Sequence, residues 1–271
     1  EIVEVAERAT EEEVLPDVAE GALDFSLRLR PVGPAGARLE AIMAGEVEKG
    51  EGVKLLDVDP GKATNRTVVT FAGEPEAVVE AAFRVARKAT ELIDMRRHKG
   101  EHPRFGALDV CPLVPVSGIT MEETAALARK LARRLGEEVG LTVYCYEHAA
   151  TREERKNLAT VRAGEYEMLE RRLADQRWTP DFGPAKMNVR SGATVIGARK
   201  FLIAYNVNLN TRDKKKASDI ALAIREAGRK KKDEHGRPMR DMNGDWVFEP
   251  GTLKECKAVG WYIDEYHRAQ V

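Results

Sequence analysis

Pro75-Glu-Ala-Val-Val-Glu-Ala-Ala-Phe-Arg-Val-Ala-Arg-Lys-Ala-Thr-Glu-Leu-Ile-Asp94 is the stretch from which the fold is read. Val78, Val79, Ala82, Val85, Ala86, Ala89 and Ile93 recur at steps of three and four, which puts them on one face of a helix. Pro75 suits its first turn, where a backbone N–H would have no partner anyway. Working outward, Thr67 to Phe71 and Leu108 to Val116 read as the flanking strands, and Val53 to Val58 as an apolar strand before them. A helix from Ala35 to Lys49 is stopped by Gly50 and Gly52. Phe25, Leu27 and Leu29 alternate with Ser26, Arg28 and Arg30, the pattern of a half-buried strand ahead of a turn at Pro31-Val-Gly-Pro34. Residues 1–21 are acidic and carry one short helical pattern, interrupted by Pro16. Strand, helix, strand, strand, helix, strand is the split βαββαβ order of a ferredoxin-like layer.

Thr120 followed by Glu123 is a capping box for a helix over Met121 to Glu138, and Leu141 to Tyr146 is the next strand. Residues Thr151 to Asp175 are charged and partly helical, ending in the turns Trp178-Thr-Pro180 and Asp181-Phe-Gly-Pro184. Ala193 to Leu209 reads as one long strand or a pair. Ile220, Ala221, Ile224 and Ala227 line a helix over Lys214 to Ala227 that Gly228 closes. Arg229 to Gly251 is a polar excursion, and Val259 to Glu265 a last strand. The fold class expected is α/β (α+β): two subdomains with ferredoxin-like βαββαβ layers, helices packed on mainly antiparallel sheets. The boundary is expected near residue 200, giving subdomains over 1–200 and 201–271.

With 44 Lys and Arg against 45 Asp and Glu, no global field draws the chain to nucleic acid or an acidic membrane, so an anionic ligand must be met locally. The basic runs Lys214-Lys-Lys216 and Arg229-Lys-Lys-Lys232 lack interleaved aromatics and read as solvated faces. Three cysteines, Cys111, Cys145 and Cys256, form no CxxC pair and suit reduced thiols in a cytosol; the first two lie in apolar strands. Neither a membrane span nor a signal peptide is indicated, so a cytoplasmic location is expected.

Between the Pro75 helix and the Leu108 strand runs Asp94-Met-Arg-Arg-His98-Lys-Gly-Glu-His102-Pro-Arg-Phe-Gly106-Ala-Leu-Asp-Val-Cys-Pro112. His98, Glu101 and His102 spell H-x-x-E-H, the spacing of an inverted zinc-peptidase motif. That motif needs a continuous helix, which Gly100 weakens and Pro103 opposes by pushing the residue before it towards extended backbone. An imidazole in a Gly/Pro loop is instead well placed for general-base work near neutrality. Asp59 reads as a carboxylate at the tip of a buried strand, either a turn cap or a site group. Arg66 and Arg104 are either surface arginines or planar donors for carboxylates. Gly183-Pro-Ala-Lys-Met-Asn-Val-Arg-Ser-Gly192 is either a linker or a binding segment. Gly192 and Gly197 echo a phosphate loop, but Ala198 stands where its lysine must be.

The run Ile93 to Pro112 closely resembles the core of the glutamate formimidoyltransferase family, folate enzymes of histidine breakdown and one-carbon metabolism. The likeness extends from Glu51 to Val271 through Leu55-Leu-Asp-Val-Asp59, Thr64-Asn-Arg-Thr67, Arg162-Ala-Gly-Glu-Tyr166, Asp181-Phe-Gly-Pro184 and Gly192-Ala-Thr-Val-Ile-Gly-Ala-Arg-Lys-Phe-Leu-Ile-Ala204. Residues 1–50 diverge, with Asp24-Phe25-Ser26 the one hint of the family's opening motif, and the second subdomain is expected to be truncated. The resemblance implies transfer of a formimino group from N-formimino-L-glutamate to tetrahydrofolate, a co-substrate, with no metal. It implies His102 as the catalytic residue and Asp59, Arg66 and Arg104 near the donor. It also implies folate binding by Gly183, Pro184, Ala185, Lys186, Met187, Asn188, Val189, Arg190, Ser191 and Gly192, with Lys186 and Arg190 facing the glutamate tail. The family forms dimers, which makes a homodimer the expected assembly. The rival readings are a zinc hydrolase built on His98, Glu101 and His102, and a folate-binding relative without turnover.

Overall fold

The computed structural model describes residues 23–29, 36–61, 65–99, 103–203, 205–242 and 244–271. The expected helix within residues 1–21, the Pro31 to Pro34 turn, and Gly100, Glu101 and His102 lie outside them. The chain forms two compact units, one ending at Leu202 and the other spanning Ile203–Val271.

The first unit runs β1 (Leu23–Leu29), α1 (Gly36–Glu48), β2 (Val53–Gly61), β3 (Arg66–Gly73), α2 (Pro75–Leu92) and β4 (Val110–Pro115). It continues with α3 (Met121–Glu138), β5 (Thr142–Glu147), two short helices α4 (Leu158–Val161) and α5 (Leu169–Leu173), and β6 (Ala193–Ala198). Six strands share one sheet in the order β2-β3-β1-β4-β6-β5. The first four are antiparallel neighbours in the ferredoxin-like arrangement, and β6 then pairs in parallel with both β4 and β5. The expected mixed α/β class with mainly antiparallel pairing is what forms.

The helices assemble for the reasons their sequences show. α2 begins at Pro75 and buries Val78, Val79, Ala82, Val85, Ala86 and Ala89. α3 is closed by a full capping box: Thr120 Oγ1 accepts from the Glu123 N–H at 3.2 Å, and Glu123 Oε2 accepts from the Thr120 N–H at 2.8 Å. The core against these helices takes alternate residues of the inner strands, Cys111 and Leu113, Val143 and Cys145, with Ile196. The intervening residues Val110, Tyr144, Tyr146 and Val195 face a second cluster with Phe105, Val161 and Leu169. The β4–β6–β5 half is thus covered on both faces, which is why its strands read as unbroken apolar runs.

Two expectations are corrected here. β2 is the outer strand, paired only with β3, and its residues are half-buried or exposed rather than buried; Asp59 lies within it, exposed, because the strand continues to Gly61. The long strand expected over Ala193 to Leu209 ends at Ala198. There it lies opposite Glu147, the last residue of β5, and Leu113, beyond which β4 runs on to Pro115 paired with β1 alone. Phe201, Leu202 and Ile203 are exposed.

In the second unit α6 (Lys214–Ile224) stops before the expected Ala227, and the Gly228 N–H closes the turn that follows by donating to the Arg225 carbonyl at 2.9 Å. The polar excursion is exposed but ordered as a ribbon. β7 (Arg229–Lys230) pairs with β8 (Phe248–Glu249), and Trp246 lies against Lys230 Nζ at 3.9 Å and the Arg240 guanidinium at 3.8 Å. The strand expected to be last, Val259 to Glu265, is the shorter β9 (Trp261–Ile263), and a further strand, β10 (Arg268–Gln270), follows and pairs with it. Among the described residues no helix is long and apolar enough to cross a membrane.

Candidate active site

The loop after α2 begins as a single 3-10 turn over Met95–Arg97, capped by Asp94, whose carboxylate accepts from the Arg96 N–H at 3.1 Å. The same carboxylate pairs with the Arg96 guanidinium at 2.9 and 2.6 Å, which holds it well below the usual carboxylate range, at about 2. His98 is 1% exposed, and its Nε2 lies 2.7 Å from the Asn65 carbonyl oxygen. A carbonyl only accepts, so that nitrogen carries the proton. Asn65, with φ of 47°, reaches back to donate from Nδ2 to the Lys99 carbonyl at 2.7 Å. The start of β3 thus clasps the loop just before residue 100.

On the far side the loop is held at every step. Asp109 is fully buried; one carboxylate oxygen accepts from the Phe105 N–H at 2.7 Å and the other lies 2.7 Å from Arg162 Nη2. Arg162 also donates to the Pro103 carbonyl. The Arg104 guanidinium is committed to the His98 carbonyl and the Glu167 carboxylate, and stands 5.6 Å from the centre of the Tyr166 ring.

The segment 183–192 lies along the same loop. The Met95 N–H donates to the Arg190 carbonyl at 2.8 Å, Ala107 N–H to the Ser191 carbonyl at 2.8 Å, and Ala193 N–H to the Phe105 carbonyl at 3.1 Å. Gly106 and Gly192 form an antiparallel bridge. The candidate base's loop and the candidate folate segment are therefore one stitched assembly although about ninety residues separate them in the chain. Residues 183–186 and 188–190 are exposed, while Met187 packs against the Phe105 cluster and Ser191 is buried.

Residues 34–199 match the family model described as "Formiminotransferase domain, N-terminal subdomain", and residues 204–271 match "Formiminotransferase domain". The chain belongs to the formiminotransferase domain family. It is 51% identical to the formimidoyltransferase-cyclodeaminase of Dictyostelium discoideum over 81% of this chain and 38% of that protein. It is 40% identical to the glutamate formimidoyltransferase of Streptococcus pyogenes over 81% of this chain and 66% of that one. The Thermoplasma acidophilum glutamate formimidoyltransferase is 49% identical over 64% of this chain and 57% of its own length. The chain thus spans little more than a third of the length of the cyclodeaminase relatives it matches.

Within this formiminotransferase domain the expected site residues fall into two groups. Asp59 and Arg66 stand on one face of the β2–β3 ribbon, Asp59 opposite Val68 and Arg66 opposite Gly61, next to the Asn65 clasp. Arg104 lies on the loop itself, and segment 183–192 is bonded along it. His102 is outside the described residues, although both flanks of its segment, Lys99 and Pro103, are anchored. The flanking glycines are packed against backbone of the same chain. A Cβ on Gly192 would stand 2.5 Å from the Phe105 carbonyl oxygen, and one on Gly183 would overlap the Leu141 carbonyl, so protein backbone fills both spaces. Asp181 of the Asp181-Phe-Gly-Pro184 run is a structural anchor, buried against Arg155 at 2.7 Å and accepting from the Cys145 N–H at 2.8 Å.

Sequence reasoning missed Asn65, Asp109, Arg162, Glu165 and Tyr166 as parts of the site. Asp109 was findable. A carboxylate inside the apolar run Ala107-Leu-Asp-Val-Cys111 needs a buried cation, and Arg162 stands in a run already marked by the family likeness.

Proposed function

We propose that this chain transfers the formimino group of N-formimino-L-glutamate to tetrahydrofolate, giving 5-formimidoyltetrahydrofolate and L-glutamate, a step of histidine degradation and one-carbon metabolism. The observation that supports it is the stitching of Met95, Phe105 and Ala107 to Arg190, Ser191 and Ala193, which joins segment 183–192, the stretch we assign to folate, to the loop whose sequence includes His102. The names of the Streptococcus and Thermoplasma relatives point the same way.

The nucleophile is N5 of the pterin, which is weak while it keeps its proton. As N5 bonds to the formimino carbon, His102 removes that proton, and a tetrahedral carbon bearing three nitrogens results. Collapse breaks the bond to the glutamate nitrogen, which receives the same proton back from His102. Atoms balance with no oxidant and no water. A base near neutrality that works in both directions contributes on the order of 10²–10⁴-fold, and holding two substrates in one cleft supplies the other large term.

The arginines divide the remaining work. Arg104 already holds the half-exposed Glu167 carboxylate, so a substrate carboxylate enters by exchange for a solvated partner, which costs little. Arg66 and Asp59, on one ribbon face, suit a second carboxylate and the cationic formimino group. Lys186 is exposed and makes no ion pair among the described residues, which leaves it for the folate tail, whereas Arg190 is tied to the Glu91 carbonyl at 2.6 Å. The reaction takes place on small molecules in the cytoplasm, without a metal, in a chain that pairs as a homodimer.

The test is stoichiometric. Incubation with both substrates is expected to yield glutamate and 5-formimidoyltetrahydrofolate one for one. Tight tetrahydrofolate binding with no glutamate release would replace this reading with that of a folate-binding relative.

A further inference from the structure

The run Arg162-Ala-Gly-Glu-Tyr166 has no part in the reaction just described, yet its polar groups converge on Pro103, Arg104 and Phe105. Arg162 donates to the Pro103 carbonyl and pairs with Asp109, which accepts from the Phe105 N–H. Glu165 Oε2 accepts from the Arg104 N–H at 3.2 Å, and the Tyr166 N–H donates to the Arg104 carbonyl at 2.9 Å. With Ala193 taking the Phe105 carbonyl, every backbone donor and acceptor from the Pro103 carbonyl to the Phe105 carbonyl has a partner. Burial alone demands this at Phe105, but Pro103 is exposed and Arg104 half-buried, and their backbone groups are pinned as well.

Glu165 makes the point sharper. Its backbone lies at φ 56° and ψ −159°, a region that suits glycine and strains any residue with a side chain. Gly164 precedes it, so a glycine here would have been an ordinary choice, yet the chain carries a carboxylate. Among the described residues that carboxylate makes one hydrogen bond, to the Arg104 N–H. Strain held for a single contact, two residues beyond the proposed base, is the signature of a positioning role rather than of packing.

We infer that Arg162, Glu165 and Tyr166 are positioning residues for His102, fixing the backbone that leaves it so that the imidazole meets both substrates in one setting. This rests on the reading of His102 as the base. The clamp acts through one peptide bond, and a displacement of about an ångström at a catalytic group costs up to roughly 100-fold in turnover.

Glu165→Gly separates positioning from folding, because it removes the acceptor while relieving the backbone. Its thermal midpoint is expected to equal or exceed that of the parent chain, with kcat lowered roughly tenfold or more and the KM of each substrate little changed. Glu165→Gln keeps an acceptor and should recover most of kcat. In a His102→Ala background Glu165→Gly should cost nothing further, since both changes act on one group. An unchanged kcat in Glu165→Gly, or the same fold-loss with and without His102, overturns the inference.

The positional claim is also read without turnover. The His102 imidazole Cε1–H resonance, assigned by its loss in His102→Ala, should shift or split in Glu165→Gly. A parent chain that fails to transfer the formimino group would defeat the functional reading alone. An unmoved His102 resonance would defeat the positioning inference alone.

Discussion

Gly106 and Gly192 meet backbone to backbone, and neither position has room for a side chain. A Cβ on Gly106 would overlap the carbonyl oxygens of Ala193 and Ser191, and one on Gly192 would press on the Phe105 carbonyl and on Gly106 Cα at 2.8 Å. Gly192 also sits at φ 66°, where a side chain is strained whatever the space. The bridge between them joins the proposed base loop to the proposed folate segment.

Gly192→Ala should therefore destabilise the chain by more than about 2 kcal/mol, a fall of roughly 4–8 °C in thermal midpoint, and weaken tetrahydrofolate binding with it. Gly45→Ala is the control. That glycine lies in α1 with open space around its Cβ, so the same change should stabilise by about 0.5–1 kcal/mol. Calorimetry on the two variants decides the matter, and equal midpoints would show that the Gly106–Gly192 contact yields freely.

The buried thiols make a chemical prediction. Burial pushes Cys145 up to about 12 and Cys111 well above its ordinary value, whereas Cys256 is half-exposed. The thiolate is the nucleophile, so at pH 8 a disulfide reagent should label Cys256 alone in the folded chain and all three in denaturant. Fast labelling of three thiols in the native chain would contradict the two-faced packing of β4 and β5.

The Asp94 turn predicts an acid limb. The Arg96 guanidinium holds the Asp94 carboxyl at about 2, below its ordinary 3.8. A group with a depressed folded value favours the fold above its unfolded value, and that contribution disappears as pH falls from about 4 towards 2. Carboxyl-carbon NMR should give a midpoint near 2, and Arg96→Ala should raise it towards the ordinary value. A midpoint that stays put in Arg96→Ala would assign the shift elsewhere.

Much of this was legible in the chain, and the rest was not for identifiable reasons. The periodicity of Val78 to Ile93 and the Thr120–Glu123 box are local signals, and α2 and α3 form where those signals lie. Strand ends are set by partners: β6 stops at Ala198, opposite the last residue of β5, and no residue of the Ala193 to Leu209 run states that. Asp59 looked like a carboxylate at a buried tip because its strand is apolar, but sheet order places β2 at the outside, where that strand is half-open. The pairing of Arg162 with Asp109 joins residues fifty-three positions apart, visible beforehand only as a lone carboxylate in an apolar run. Gly183 and Gly192 stand where backbone from Leu141 and Phe105 comes close, and nothing within the 183–192 run names those partners.

The central claim is tested most directly by one substitution, His102→Ala, studied with tetrahydrofolate binding and single-turnover formimino transfer measured on the same protein. The account predicts that tetrahydrofolate affinity stays within a few-fold while the transfer rate falls by about 10²–10⁴. Transfer at the parental rate in the folded variant would contradict it.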